Sequence, residues 1–160
     1  KAVLPHMRRQ KAGAIINVSS IAAVCAVVGS GYYAATKGAL ELLSDALRQE
    51  VAPLGITVMT VEPGAFRTRF FDDSLKGTAV KIKDYAETAG KNRKEHIINH
   101  HDQPGDPEKA GRVIVDAVEQ PNPPQRLLLG SDASAIVCAE LERRLAEAQA
   151  QKDLSVSSDF

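Results

Sequence analysis

The sequence has few of the features that mark several large classes of protein. Its two cysteines, Cys25 and Cys138, lie far apart among apolar neighbours, which favours buried, reduced thiols over a disulfide. Twenty basic residues balance twenty acidic ones, so no net field favours nucleic acid or an anionic membrane. The longest apolar run, Ile21–Val28, is far shorter than the roughly 20 residues that span a bilayer, and no signal-peptide pattern is present. These absences predict a cytoplasmic protein.

What remains is the composition of an ordinary globular domain, with 44% hydrophobic and 25% charged residues. We expect one domain over residues 1–160. Three short runs rich in apolar residues predict strands, and helical patterns precede or follow them. The predicted strands are Ala14–Val18, Ile56–Val61 and Arg126–Leu129. Lys1–Gln10 is predicted to be the end of a helix, and three further helices are predicted, one from about Tyr32 to Ala52, one that begins at Asp106-Pro107 and one from about Ala133 to Gln151. This alternation predicts a parallel α/β sheet of about three strands.

The helix predicted from Tyr32 has a clear apolar periodicity. Leu40, Leu43, Leu47 and Val51 recur at spacings of three and four, which predicts the face that packs on the core. Gly55, after Pro53-Leu54, is a predicted left-handed terminator. By contrast, the polar segment of residues 66–104 has weak helical patterning and no clear strand.

One group of residues points to proton chemistry. Ser20 closes the first predicted strand, and Tyr33 and Lys37 stand one turn apart on the same face of the following helix. Strand ends and helix starts meet at the carboxyl edge of a parallel sheet, where α/β folds bind ligands. A phenol is a poor proton donor at neutral pH, but a cation about 5 Å away favours its ionised form by about 3 kcal/mol at an effective dielectric constant of about 20. Ser20 could then hold the reacting oxygen by a hydrogen bond.

The motifs resemble the second half of the classical short-chain dehydrogenases/reductases. The resemblance follows three stretches in order, which are Gly13–Ser20, Tyr33-Ala34-Ala35-Thr36-Lys37 and Val61–Thr68, and it extends to about Ala133. The stretches Val61–Phe71, Gln103–Ala110 and Arg126–Asp132 are most similar to the 17β-hydroxysteroid-dehydrogenase-like subgroup. A lone Tyr-x-x-x-Lys is a weak signal, but the Ser at this spacing and the downstream Pro-Gly-x-x-x-Thr make the combination specific.

The resemblance implies a Rossmann-like doubly wound fold, of which this chain is the carboxyl-terminal half, and an NAD(P)-dependent oxidoreductase that interconverts a secondary alcohol and a ketone or aldehyde. Ser20 would orient the substrate oxygen, Tyr33 would be the general acid/base, and Lys37 would stabilise the phenolate and bind the nicotinamide ribose. The cofactor, NAD or NADP, would also contact the segment after the second strand, at Pro63, Gly64, Phe66 and Thr68. Residues 66–104 would form a variable substrate lid.

The family's glycine-rich phosphate loop, its cofactor-selecting residue and its Asn-Asn-Ala-Gly motif would all precede Lys1. We therefore expect the amino-terminal dinucleotide-binding half to be absent from this chain. This expectation raises an alternative, a truncated, non-catalytic fragment that acts only as a packed or oligomeric domain. In the family the helix that carries the Tyr-Lys pair associates across a two-fold axis, so the resemblance also implies a homo-oligomer, a dimer or tetramer.

Other polar residues allow further interpretations. His96, His100 and His101 have a spacing that can chelate zinc, but no cysteine is near them, so solvated or substrate-lining roles are preferred and no metal site is predicted. A hydrolase using Ser20 is disfavoured because no Gly-x-Ser-x-Gly elbow is present. Ser19 is expected to cap local backbone, and Asn17 to form hydrogen bonds within the core.

Overall fold

A computed structural model describes residues 2–71, 80–93 and 102–160. Three parallel strands form one sheet in the order β1-β2-β3, with β1 at Gly13–Val18, β2 at Ile56–Pro63 and β3 at Arg126–Leu129. Five α-helices accompany them within the described residues: α1 (Leu4–Gln10), α2 (Gly31–Val51), α3 (Pro107–Val118), α4 (Ser131–Ala150) and α5 (Lys152–Val156). The predicted Rossmann-like α/β fold with a three-stranded parallel sheet is confirmed.

The central strand β2 is buried along almost its whole length. Its side chains alternate between two apolar clusters, one on each face of the sheet. Met59 and Val61 pack with Ala117 of α3 and with Leu129 of β3. On the opposite face, the second cluster is formed by Val51, Ile56 and Val58, with Leu4, Met7, Ile15 and Leu47 packed against it. A strand covered on both sides has the near-continuous apolar sequence that Ile56–Val61 shows.

Helix α2 is rotated relative to the sequence-based prediction. Leu40 and Leu47 are half-buried and Val51 is buried, as expected, but Leu43 is 64% exposed. The buried positions instead include two polar side chains, Glu41 and Ser44. Polar partners on β1 and β2 accommodate these groups, and hydrophobic periodicity cannot anticipate such partners because it counts apolar residues only.

The predicted helix boundaries are mostly confirmed. Asp106 caps α3, its Oδ1 accepting from the backbone N–H of Glu108 at 2.9 Å and of Lys109 at 3.3 Å. Gly55 has φ +72°, the left-handed terminator that was predicted. After α4, the short helix α5 extends the helical structure to Val156. In the polar segment the structure shows a 3-10 turn at Lys83–Tyr85 and a π-helix at Ala86–Gly90.

Candidate active site

The candidate site lies at the carboxyl edge of the sheet, where β1 and β2 end side by side. Val18, the last residue of β1, is in register with Val61 of β2, and the backbone N–H of Ser19 still donates to the Val61 carbonyl at 2.7 Å. The chain then turns through a 3-10 helix, Ile21–Ala23, that packs against α2. The end of β1 and the start of α2 therefore face the same edge, as the strand-helix order predicted.

Two adjacent serines at this edge, Ser19 and Ser20, differ in burial and in hydrogen bonding. Ser20 is the N-cap of the 3-10 helix, and its Oγ accepts a hydrogen bond from Ala22 N at 3.1 Å. That bond uses an acceptor lone pair and leaves the hydroxyl proton of Ser20 available to a ligand. Ser19 is buried, and among the described residues its Oγ has no hydrogen-bond partner. The prediction that Ser19 caps local backbone is thus wrong, because Ser20 makes that contact.

The structure brings Tyr33 and Lys37 together on α2. The Lys37 Nζ lies 5.7 Å from the centroid of the Tyr33 ring, and it donates to the Val18 carbonyl oxygen at 3.0 Å. This second contact ties the ammonium to the end of β1, two residues before Ser20, and uses one of its three N–H donors. The ring of Phe70 stands 5.7 Å from that of Tyr33, centroid to centroid, at 52°. A positively charged ammonium group held beside a phenol can stabilise the phenolate that remains after the phenol has given up its proton.

The segment after β2 is fixed by backbone contacts on several sides. Gly64 N donates to the Leu129 carbonyl at 2.9 Å, and Gly105 N donates to the Ala65 carbonyl at 3.0 Å. Phe66 pairs with Gly105 in an isolated bridge, and its ring packs against the core cluster of Met59, Val61, Ala117 and Leu129. The side chain of Phe66 therefore has a packing role, so a cofactor contact at this residue would come from its backbone.

Thr68, the last predicted cofactor contact, is exposed. Its Oγ1 accepts from Phe70 N at 3.3 Å, at the start of the 3-10 helix Arg69–Phe71. The Thr68 backbone N–H donates to the Phe66 carbonyl at 2.9 Å. As at Ser20, the hydroxyl accepts a local backbone bond and keeps its proton free for a further partner.

Sequence reasoning missed Asp132, which contacts this segment from α4. Its Oδ2 accepts from Ala65 N at 2.7 Å, across 67 positions of sequence. An acidic residue in the first turn of a helix after a strand is visible in the sequence, but nothing there shows which backbone group it reaches.

A second group missed from the sequence is a pair of buried carboxyl groups beneath the site. Glu62, next to Pro63, is 1% exposed and Glu41 of α2 is 7% exposed. Burial raises the pKa of the Glu62 carboxyl to about 7; the charge of Glu41 adds to this rise and that of Arg126 opposes it. Arg126 Nε lies 3.8 Å from Glu62 Oε1 and 3.5 Å from Glu41 Oε2. A protonated Glu62 is therefore a substantial species near neutral pH.

The three histidines considered for zinc, His96, His100 and His101, lie outside the described residues. Within the residues that the structure describes, no group of three or more His, Cys, Asp or Glu side chains is placed to hold a metal ion. In that same part of the chain, no helix is both long and apolar enough to cross a membrane.

The chain is similar to known proteins over most of its length. The family of short chain dehydrogenases matches residues 1–78. A curated 3-ketodihydrosphingosine reductase from Bacteroides thetaiotaomicron is 40% identical over 132 residues, covering 81% of this chain and 48% of the relative. A second relative, the oxidoreductase BOA17 of Botryotinia fuckeliana, is 32% identical over 158 residues and is covered to 57% of its length. The chain thus spans about half the length of the curated relatives it matches.

Solved structures show the same fold. A short-chain dehydrogenase from Streptomyces avermitilis superposes with a TM-score of 0.88 at 39% identity, over 99% of this chain and 57% of that one. Two Burkholderia short-chain dehydrogenases share the fold at lower sequence identity. The B. cenocepacia structure, in complex with NADP, has a TM-score of 0.64 at 22% identity, over 92% of this chain and 50% of that one. The B. phymatum structure, in complex with NAD, has a TM-score of 0.73 at 16% identity, over 93% and 53%. The family match, the curated relatives and the solved structures are thus all short-chain dehydrogenases, reductases or oxidoreductases to which this chain is similar.

Proposed function

We propose that this chain is the catalytic part of an NAD(P)-dependent oxidoreductase that interconverts a secondary alcohol and a ketone or aldehyde. The observation that carries the proposal is the placement of Lys37. Its ammonium group lies 5.7 Å from the Tyr33 ring and donates to the Val18 carbonyl, two residues before Ser20. The three predicted catalytic residues therefore share one edge of the sheet.

In this proposal each side chain handles the proton or the oxygen of the reacting group. In the direction of reduction, Tyr33 Oη donates a proton to the substrate oxygen, and in oxidation it accepts that proton. The Lys37 ammonium stabilises the negative charge that Tyr33 carries after donation. Ser20, whose Oγ already accepts from Ala22 N, donates its hydroxyl proton to the same substrate oxygen and orients it.

The cofactor would be NAD or NADP, which supplies or accepts the hydride when bound. The donors at this edge suit such a group, because Lys37 keeps two N–H donors for ribose hydroxyls after its bond to Val18. The backbone of Pro63, Gly64 and Phe66 and the hydroxyl of Thr68 would contact the nicotinamide end. The NADP and NAD complexes of the two Burkholderia proteins support a nicotinamide cofactor.

Substitution of Tyr33 by Phe tests this function. We expect Tyr33→Phe to lower kcat by at least about 100-fold, since positioned acid/base groups contribute about 100- to 10,000-fold. Binding of reduced nicotinamide, measured by fluorescence titration, should change little because the phenol ring and Lys37 remain. Turnover is followed by the absorbance of the reduced nicotinamide with a panel of secondary alcohols and ketones.

The chain supplies a matched control in Tyr32, the preceding residue on α2. Its side chain is 96% exposed, so Tyr32→Phe removes the same hydroxyl from a position outside the site. It should leave kcat within about two-fold of the unsubstituted protein, as expected of an exposed position. Tyr33→Phe with normal turnover would remove Tyr33 from the reaction and overturn the proposed mechanism.

The alternative, a packed but non-catalytic fragment, is not favoured, because the curated relatives are named as reductases or oxidoreductases. Titration of chain 1–160 with NADH and NADPH separates the two possibilities. Saturable binding with either cofactor supports the enzyme. Absence of binding by a chain that folds supports the fragment.

We further propose a homo-oligomer, a dimer or tetramer, that associates through α2. This helix exposes two large apolar side chains, Leu42 and Leu43, at 73% and 64%. Exposed apolar patches are typical of association surfaces. Within the family we assign the chain to the 17β-hydroxysteroid-dehydrogenase-like subgroup, on the resemblance of Val61–Phe71 and Arg126–Asp132.

A further inference from the structure

The Pro63–Phe66 segment, which the proposed function sets against the nicotinamide, is held from behind by the turn between β3 and α4. Asp132, in the first turn of α4, accepts from Ala65 N at 2.7 Å. The preceding residue, Gly64, donates its N–H to the Leu129 carbonyl at 2.9 Å. Two successive backbone N–H groups are thus bound to the same turn.

The Asp132 carboxylate is also enclosed by two glycines. A Cβ on Gly64 would overlap both carboxylate oxygens and the carboxyl carbon of Asp132. A Cβ on Gly130, whose φ is +100°, would lie 2.5 Å from Asp132 Oδ1. Any other residue at Gly64 would force the Asp132 carboxylate or the segment to move, so the close approach of the two depends on glycine at this position.

The position of Asp132 favours a carboxylate there for electrostatic reasons. It stands in the first turn of α4, a 20-residue helix, where the helix dipole stabilises negative charge. Its Oδ1 is buried and has no hydrogen-bond partner among the described residues, so the Ala65 N–H is the contact through which the side chain acts on the segment.

We infer that Asp132 is a positioning residue for the cofactor, which fixes the Gly64-Ala65 backbone where the nicotinamide would contact it. This inference rests on the proposed function. The hydrogen bond of the Asp132 carboxylate goes to the backbone of the segment, at Ala65 N, and not to a predicted catalytic side chain. Its loss should therefore weaken cofactor binding while the proton-handling groups Ser20, Tyr33 and Lys37 stay in place.

The test compares Asp132→Ala with Asp132→Asn in two measurements. One hydrogen bond of about 1.4 kcal/mol corresponds to a ten-fold change. We therefore expect Asp132→Ala to raise the KM for the nicotinamide cofactor by about ten-fold, with the KM for the alcohol or ketone within about two-fold. The second measurement is amide hydrogen exchange by NMR without cofactor, in which the Ala65 amide should exchange about ten-fold faster and the Met59 amide at an unchanged rate.

The Asn variant separates positioning from a general loss of stability. Its amide oxygen can still accept from Ala65 N, so Asp132→Asn should recover most of the Ala65 protection and the cofactor KM. Asp153→Ala, which removes an exposed acid from the first turn of α5, is the control and should change neither value. If Asp132→Ala does not fold, Asp132→Leu replaces it, since this side chain keeps a similar volume but offers no acceptor to Ala65 N, and the same changes in Ala65 exchange and cofactor KM are expected.

Unchanged Ala65 exchange in Asp132→Ala would overturn the inference, as would an Asn variant no better than Ala in cofactor KM. If the unsubstituted protein binds no nicotinamide, the proposed function fails together with the purpose assigned to Asp132. In that event the exchange rates, which need no cofactor, still show whether Asp132 fixes the segment, so the two failures are distinguishable.

Discussion

The two faces of the sheet bury different kinds of side chain. Against α3, the buried side chains are apolar: Met59, Val61, Ala117 and Leu129. Against α2, the carboxyl half of β2 buries polar groups, Thr60 and Glu62, opposite Glu41 and Ser44. The first face needs only shape and volume, whereas the second needs a partner for each polar atom.

Most of those partners are present on the α2 face. Asn17 Nδ2 donates to Ser44 Oγ at 2.8 Å, and Thr60 Oγ1 donates to Glu41 Oε2 at 2.8 Å. Arg48 Nε donates to the Val58 carbonyl at 2.9 Å. The exceptions are both oxygens of Glu62 and Oε1 of Glu41, which have no hydrogen-bond partner among the described residues.

The polar contacts lie on the face that carries α2, the helix of the candidate site. The polar network joins α2, which carries Tyr33 and Lys37, to the carboxyl ends of β1 and β2. Directed hydrogen bonds fix the rotation and height of a helix more narrowly than apolar contacts do, because each bond requires a particular distance and angle. The apolar α3 face supplies burial, and the polar α2 face supplies alignment of the proposed catalytic residues.

The largest effect is expected on the apolar face. Met59 is fully buried, so Met59→Ala should lower the free energy of unfolding by about 2–5 kcal/mol through lost burial and the cavity it leaves. Urea unfolding followed by circular dichroism measures the loss. The other methionine, Met7, is half-buried at the edge of the second cluster, and Met7→Ala should cost less than half as much. Equal losses at the two sites would contradict the deeper burial of Met59.

A smaller, pH-dependent effect is expected on the polar face at Glu62. Its pKa is about 7 in the folded protein and 4.5 ordinarily, so between these values the folded state holds a proton that the unfolded chain has released. The stability that this group contributes is therefore complete below about pH 4.5 and is lost as the pH rises through about 7.

Glu62→Gln mimics the protonated carboxyl and should remove this loss. We expect the variant to gain about 1–3 kcal/mol of unfolding free energy at about pH 8, because Gln cannot ionise and the raised pKa of Glu62 means that its ionisation destabilises the folded protein. The gain should shrink toward zero at about pH 4.5. Urea unfolding at a series of pH values measures it, with Glu50→Gln, on an exposed part of α2, as the control. Parallel pH curves for Glu62→Gln and the unsubstituted protein would show that Glu62 is ionised in the folded state.

The smallest effect on stability is expected on the outward side of α2. Leu43 is 64% exposed, so Leu43→Ser should change the monomer's unfolding free energy by no more than about 0.5 kcal/mol. If α2 associates as proposed, the same substitution should shift sedimentation-velocity profiles toward the monomer. Leu47→Ser, one turn along at a position packed on Val51 and Val58, should instead destabilise the monomer. A Leu43→Ser protein as unstable as Leu47→Ser would mean that Leu43 faces the core.

Much of the fold was predictable because its strands are buried on both faces. The run Ile56–Val61 is apolar enough to indicate a covered strand, and Asp106-Pro107 and Gly55 mark helix ends by capping and backbone rules. The proximity of Tyr33 and Lys37 followed from their spacing of four, which fixes a common helix face before any tertiary contact forms. The role of Phe66 was less visible, since the sequence does not show that its ring turns into the core.

The sequence by itself determined the parallel α/β order and the pairing of Tyr33 with Lys37, because both depend on local periodicity and on residues within one or two turns. Only the tertiary structure decided which face of α2 meets the sheet, since burial of Glu41 and Ser44 requires Thr60 and Asn17, which come from different strands. It also decided the contact of Asp132 with Ala65. Such contacts join residues far apart in the chain, and their energies depend on geometry that no local pattern records.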